Sequence, residues 1–257
     1  MMKSRRYLCI NHGGFPPRVK ALAALLGTLF AAACGHGRLT PTQAGDGTAY
    51  RQAVADAREA RPEEIYRELK PVLAGERGLV WRGEPGESPI LVLTWSSWDG
   101  YENALGRELT LTRPVWVTLM PELQELCRHT YPRGRKALTR RLERLLGLPP
   151  EAGYTRFAEL WVDPSDLRRP CPDKEITDRQ CSLAFPPSEP DDSDYRRWFE
   201  SQQESTYGED GYPWTRLGYT YDWGNPLTEV GLSEYLVWTG ATVEVRAVSS
   251  LRTFCRP

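Results

Sequence analysis

The chain has 257 residues, of which 40% are hydrophobic, 26% charged and 11% aromatic, and its formal net charge is −1. This composition excludes a disordered or fibrous chain, and the balanced charge excludes a strongly basic nucleic-acid binder. The length allows one large domain or two small ones, each with a real core. Residues 1–33 hold Lys3, Arg5, Arg6, Arg18 and Lys20 and no acid. An apolar run over residues 21–33 follows, too short for a bilayer span of about 20 residues. A basic flank, a short apolar run and small residues make a secretory signal pattern.

The run ends in Ala31-Ala32-Ala33-Cys34. Small residues directly before a cysteine resemble the lipobox of bacterial lipoproteins. Ala31 stands where that family usually has Leu. The resemblance implies that Cys34 is diacylated through its sulfur and becomes the mature N-terminus. The expected location is then the cell envelope. Gly35, rather than Asp, follows the cysteine, which favours the outer membrane. Ser4-Arg5-Arg6-Tyr7-Leu8 also resembles a twin-arginine export signal, set farther from its apolar run than is usual. Loss of residues 1–33 removes five basic residues and no acid, leaving a formal charge of about −6; that suits solubility and names no partner.

Residues 34–47 read as a polar tether, and residues 48–257 as a single α+β domain. Residues 48–73 have a helical pattern broken at Arg61-Pro62. Strand-like runs follow at 79–82, 90–95, 108–112 and 115–119, the second apolar throughout. Pro121 opens a helix to His129. Residues 134–146 place Leu138, Leu142 and Leu145 on one helical face, with Arg135, Lys136, Arg140, Arg141 and Arg144 around it. That basic face suits either solvent or an anionic surface such as lipid headgroups. Residues 155–162 read as a strand and 163–190 as a Pro-rich loop. Asp191-Asp192-Ser193-Asp194 caps a helix to Tyr207, acids there complementing its free N–H groups. The last third is β, at 215–223, 231–238 and 242–248, with Thr239-Gly240 as a hairpin turn. Helices that interrupt strands irregularly indicate a mostly antiparallel sheet.

Four cysteines remain after the signal and Cys34. An even number in an oxidising compartment implies two disulfides, with three possible connectivities. The short loop between Cys171 and Cys181 favours that pair and leaves Cys127 with Cys255. A metal site is not expected, because the cysteines are not closely paired and the mature chain has only His36 and His129. No phosphate loop and no Gly-x-Ser-x-Gly elbow is present, so no cofactor is expected.

The aromatic stretch 207–238 carries the candidate binding residues Tyr212, Trp214, Tyr221 and Trp223. Alternation along 215–223 sets Arg216, Gly218, Thr220 and Asp222 on one face and Leu217, Tyr219, Tyr221 and Trp223 on the other. Glu234 stands in the apolar row Leu232, Leu236, Trp238. A carboxylate there is costly unless paired, and Arg216 is the natural partner. Glu159, between Phe157 and Trp161, poses the same question.

Leu79-Val80-Trp81-Arg82-Gly83 resembles the first strand of ADP-ribosyltransferases, whose Arg holds the dinucleotide. Glu234-Tyr235-Leu236-Val237, followed by Gly240 and Val243-Glu244-Val245, resembles their last hairpin, where a Glu is catalytic. The family's Ser-Thr-Ser motif is missing, and Leu232 stands where it has a second acid or amide. Two functions follow as expectations. One is a lipid-anchored, non-enzymatic domain that binds an envelope protein or glycan through its aromatic region. The other is an envelope enzyme using Arg82, Arg216, Asp222 and Glu234 on the C-terminal sheet.

Overall fold

Side chains alternate across a strand, so residues 90–96 serve two faces at once. Both faces are buried along almost the whole run, which makes it a central strand. The computed structural model describes residues 41–129, 134–208 and 210–256, all in one compact unit. The signal segment and Cys34 lie outside the described residues.

The strands are β1 (Ile90–Ser96), β2 (Glu108–Thr110), β3 (Val115–Leu119), β4 (Arg156–Val162), β5 (Leu167–Arg168), β6 (Tyr219–Tyr221), β7 (Val230–Val237) and β8 (Thr242–Ser250). The helices are α1 (Pro41–Asp56), α2 (Gly100–Asn103), α3 (Glu122–His129), α4 (Arg135–Leu145), α5 (Asp194–Thr206) and α6 (Leu251–Phe254). Every strand pair is antiparallel, in the order β2-β8-β4-β1-β3-β7-β5, with β6 also on β7. The fold is α+β, as the sequence indicates.

The sheet is curled. β7 and β8 are joined by only four residues, yet three strands separate them in the sheet. In a flat sheet they would lie about 19 Å apart. Five extended Cα steps reach about 18 Å at most. This link is not extended, because Gly240 sits at φ 87° and the backbone of Gly240 and Ala241 bonds Leu111 in both directions. The sheet therefore wraps around one core, formed by Ile90, Val92, Val117, Leu160, Tyr235, Val237, Val243 and Val245. The expected hairpin between the last two strands does not form; Leu111 bonds the backbone of Gly240 and Ala241 instead.

The outer face carries Leu91, Leu93, Trp95, Phe157 and Leu232, covered by α3, α4 and α6 through Leu123, Leu142, Leu145 and Phe254. A third cluster joins Tyr50, Ala53, Val54 and Ala57 of α1 to Tyr195 and Phe199 of α5 and to Trp214 and Trp223. The spacing i, i+3, i+4, i+7 in α1 makes this stripe. α1 begins seven residues earlier than the sequence pattern indicates.

No second helix forms before β1. A short 3-10 turn spans Pro62–Glu64, and residues 65–72 form neither helix nor strand. Pro71 disfavours a helical Lys70, and the freed N–H groups find other partners. Lys70 donates to Ser233 Oγ at 2.8 Å and Leu69 to the Arg179 carbonyl at 3.0 Å. Residues 79–82 contribute only a bridge from Trp81 to Ile90. Two disulfides, Cys127–Cys255 and Cys171–Cys181, close the fold, with Cα separations of 5.3 and 6.2 Å.

The cations of α4 are used inside the fold. Arg140 and Arg144 converge on the Asp46 carboxylate of α1. Burial would raise that carboxyl, but the two guanidinium hydrogen bonds outweigh it and hold it below the usual range. Arg141 grips the buried Asp222 with two N–H groups, one at 2.9 Å. This helix is stapled to its neighbours rather than presenting Arg140, Arg141 and Arg144 to an anionic surface.

Candidate functional site

The ladder between β1 and β3 holds for only two pairs, Val92 with Leu119 and Leu93 with Thr118. Beyond them the strands part. β1 goes on beside β4 as far as Ser96 with Arg156, while β3 goes on beside β7 as far as Val115 with Val237. Continued pairing would set Trp95 against Trp116. Instead the two rings pack on different clusters. Trp95 stacks on Phe157 at 5.1 Å and meets Tyr154 edge-on. Trp116 packs on Trp198 and Trp214 at 6.3 and 5.8 Å. Aromatic packing of this kind is worth about 0.5–1.5 kcal/mol per pair beyond area burial, enough to hold a short strand fork open.

A cavity of about 770 Å³ fills the fork. That is the size range of small-ligand sites. Its exposed lining residues, Ser97, Trp98, Thr110, Thr112, Arg113 and Tyr212, mark the mouth. Its walls are rich in rings: Trp95, Trp98, Tyr101, Trp116, Tyr154, Tyr212, Trp214 and Tyr221 all line it. Burial raises the Tyr101 and Tyr154 hydroxyls to about 12. Arg113 forms no ion pair among the described residues.

At the crotch of the fork lies Glu234, the one carboxylate among the lining residues. β7 places it opposite Thr118, and its backbone N–H donates to the Gly218 carbonyl at 2.9 Å. Its side chain has neither a hydrogen-bond partner nor an ion-pair partner among the described residues. Desolvation raises its pKa from 4.5 to about 8, with no neighbouring charge to offset it. The carboxyl is thus held neutral at pH 7 and close to its titration point. The indole N–H of Trp95, another lining residue, is also buried without a partner.

The sequence candidates divide sharply. Arg216 does not meet Glu234. It sits in a tight turn at φ 59°, donates to the Arg58 carbonyl at 2.7 Å and lies over the Tyr207 ring. Arg82 pairs with Glu244 and covers the Trp161 ring. Asp222 is consumed by Arg141 and by the Gly224 N–H. Of the four, only Glu234 lines the cavity, so they do not form a common site. Of Arg82 and Glu234, which carry the ADP-ribosyltransferase resemblance, Arg82 does not line this cavity. The regular alternation expected over 215–223 shrinks to β6, because Arg216 and Gly218 both take positive φ.

Among the aromatic candidates, Tyr212, Trp214 and Tyr221 line the cavity, whereas Trp223 packs against Tyr50 in the α1 cluster. Tyr221 donates its hydroxyl to Asp56 at 2.8 Å and Trp214 its indole N–H to the Pro170 carbonyl at 3.0 Å. Glu159 is held by Arg246 and plays a structural part. Sequence reasoning missed Trp95, Trp98, Trp116, Thr118 and Tyr154. The available signal was Trp95-Ser96-Ser97-Trp98, where polar residues and large rings interrupt an apolar strand.

No three of His, Cys, Asp and Glu are grouped to hold a metal ion among the described residues, and no helix there is long and apolar enough to cross a membrane. In comparison with known proteins, the chain matches no family model, no curated protein and no solved structure.

Proposed function

We propose that this is a small-molecule-binding domain, carried on the cell envelope by a lipid on Cys34, whose ligand enters the fork between β1 and β3. The observation that carries this reading is the ring-lined cavity of about 770 Å³ with one unpartnered carboxyl at its base. Concave, largely apolar cavities with a few placed polar groups are the ordinary form of ligand sites. The aromatic recognition expected from residues 207–238 thus falls in part within a cleft, and a compact ligand suits it better than a protein partner.

The enzyme alternative has one observation in its favour, the raised pKa of Glu234, which is a mark of acid–base sites. A lone acid is a weak catalyst, however. The lining residues offer no histidine and no second carboxylate to act with it, and paired groups are what general acid–base chemistry normally uses.

Trp95, Trp98, Trp116 and Trp214 line the cavity, so occupancy should shift their fluorescence. A panel of small aromatic and sugar-like compounds should contain ligands that change tryptophan emission and raise the melting temperature. A Ser97→Trp plus Thr112→Trp variant, which narrows the mouth at two exposed positions, should lose both responses while keeping its own melting transition. Equal responses in the variant would place binding elsewhere.

A further inference from the structure

We propose that the ligand of this cavity is an organic cation, an ammonium group on an apolar or aromatic body, whose charge is received by Glu234. The proposal rests on the small-molecule reading above and names the chemistry of its ligand.

Glu234 has no counter-charge among the described residues. Most of the other deeply buried charged side chains have built-in counter-charges, and Glu143, which has none among the described residues, accepts the Ala152 N–H at 3.1 Å. Asp222 has Arg141, Asp46 has Arg140 and Arg144, Glu159 has Arg246, and Arg169 has Asp178. Glu189 is likewise held by Lys174. The fold therefore has the means to neutralise buried charge and uses them repeatedly. Glu234 alone stands at the base of a cavity with no partner of any kind. A carboxyl desolvated without a counter-charge is destabilising when ionised, so the missing cation is the species that would complete the site.

The walls point the same way. Indole and phenol rings attract a cation through their electron-rich faces, most strongly where water is excluded. Trp95, Trp116, Tyr154 and Trp214 line the same cavity as Glu234. A neutral apolar guest would use the rings and leave the carboxyl idle. An anion would face both ring faces and a carboxyl.

Binding also moves a proton. In the free domain the carboxyl holds its proton at neutral pH, because only desolvation acts on it. A cation in contact favours the ionised form, so the O–H proton leaves to solvent as the ammonium seats. The groups around Glu234 do not compete for this role near neutral pH. β3 contributes none that titrates. β6 contributes Tyr219 and Tyr221, both raised by burial, and β5 contributes Arg168, which donates to backbone carbonyls. The remaining titratable lining groups are Tyr101, Tyr154, Tyr212 and the exposed Arg113.

The test uses phenethyltrimethylammonium, whose charge is fixed at every pH, and neutral 2-phenylethanol, with binding measured by calorimetry in buffers of different ionisation heat. The expected result is at least a tenfold gain in affinity for the cation between pH 6 and pH 9, with close to one proton released per cation at pH 6.5. 2-Phenylethanol should show no pH response and release no proton. In Glu234→Gln the cation should bind at least tenfold more weakly at pH 9, with no pH response, while the alcohol binds as in the parent. If the alcohol binds and the cation shows neither pH response nor proton release, the cation inference fails and the cavity reading stands. If neither probe binds at millimolar concentration, both fail. Should the variant not fold, the pH profile and proton count of the unmodified domain decide the question alone.

Discussion

Thr118 and Glu234 face each other across β3 and β7, and Thr118 is also the last residue of β3 to pair with β1. One residue thus marks both the end of a ladder and the position of the unpartnered acid. The row Glu159, Leu93, Thr118, Glu234 crosses four adjacent strands. Its two acids have opposite fates. Glu159, beside β8, is neutralised by Arg246. Glu234, beside the fork, is left to the cavity. Their difference is a property of the sheet's topology, since only one of them borders an opened ladder.

Glu234→Gln should make stability less dependent on pH. The folded-state pKa is raised from 4.5 to about 8. Below 4.5 both states hold the proton and no penalty exists. Between 4.5 and 8 the unfolded chain loses it first, so folding stability falls as pH rises, and above 8 the penalty is complete. A glutamine has no such proton. The variant should match the parent at pH 5 within about 1 kcal/mol and exceed it at pH 9 by roughly 2–4 kcal/mol. Urea unfolding at the two pH values measures this, and a variant no more stable than the parent at pH 9 would show the carboxyl to be solvated.

Arg141→Met tests the α4 staple. Asp222 is buried, with a side chain only 1% exposed, and its main counter-charge is Arg141. Removing one member of such a pair leaves an uncompensated charge, costing about 3–5 kcal/mol. Arg141 is itself partly exposed, so a loss of roughly 2–4 kcal/mol in thermal unfolding is expected. Lys136→Met, at an exposed position of the same helix, should change stability by less than about 0.5 kcal/mol.

What the sequence made legible was whatever a short window can encode. The apolar run of β1, the alternating β-branched β3, the leucine face of α4 and the even cysteine count all did so. Glu234 was visible as a carboxylate in an apolar row. That Arg216 does not partner it was not legible, because the positive φ of Arg216 turns the chain before any strand can aim it. The fork itself has no local signature. It exists because Trp95 and Trp116 are drawn to clusters built from residues 154 and 157 on one side and 198 and 214 on the other. In the same way, Thr239-Gly240 reads as a hairpin until Leu111, more than 120 residues away, binds the link and carries β8 to the far side of the sheet.

The two disulfides should differ in weight. Cys127–Cys255 closes a separation of 128 residues and ties α3 to α6, whereas Cys171–Cys181 closes one of 10. Loop-closure entropy favours the longer link, about 4–5 kcal/mol against roughly 3. Paired Cys→Ser variants compared by denaturant unfolding should rank in that order. Peptide mapping under non-reducing conditions should recover both pairs.

Cys34→Ala should abolish metabolic lipid labelling and release the protein from the membrane fraction. An unchanged distribution would remove the lipid anchor from the proposed function without touching the cavity.

Gly218→Ala connects stability to the site. At φ 77° a side chain is strained in any case. Here a Cβ would also come within 2.7 Å of Cys181 Sγ, 2.8 Å of Arg169 Cδ and 2.9 Å of Leu69 Cδ1. None of these can retreat easily. Cys181 is tethered to Cys171, and Arg169 is fully buried, held by Asp178 and by the Asp178 carbonyl at 2.9 Å, over the Tyr235 ring. Overpacking and backbone strain together should cost roughly 2–4 kcal/mol. The Gly218 carbonyl accepts the Glu234 N–H, so the same shift reaches the base of the cavity. A variant that still folds should therefore show weakened ligand response along with a lower melting temperature. Gly240→Ala, where φ is also positive but nothing lies within 4 Å of the added carbon, should cost only the backbone strain, about 1 kcal/mol, and leave ligand response intact. If the two glycine variants behave alike in ligand response, Gly218 supports the fold alone, and the position of Glu234 does not depend on the disulfide loop beneath it.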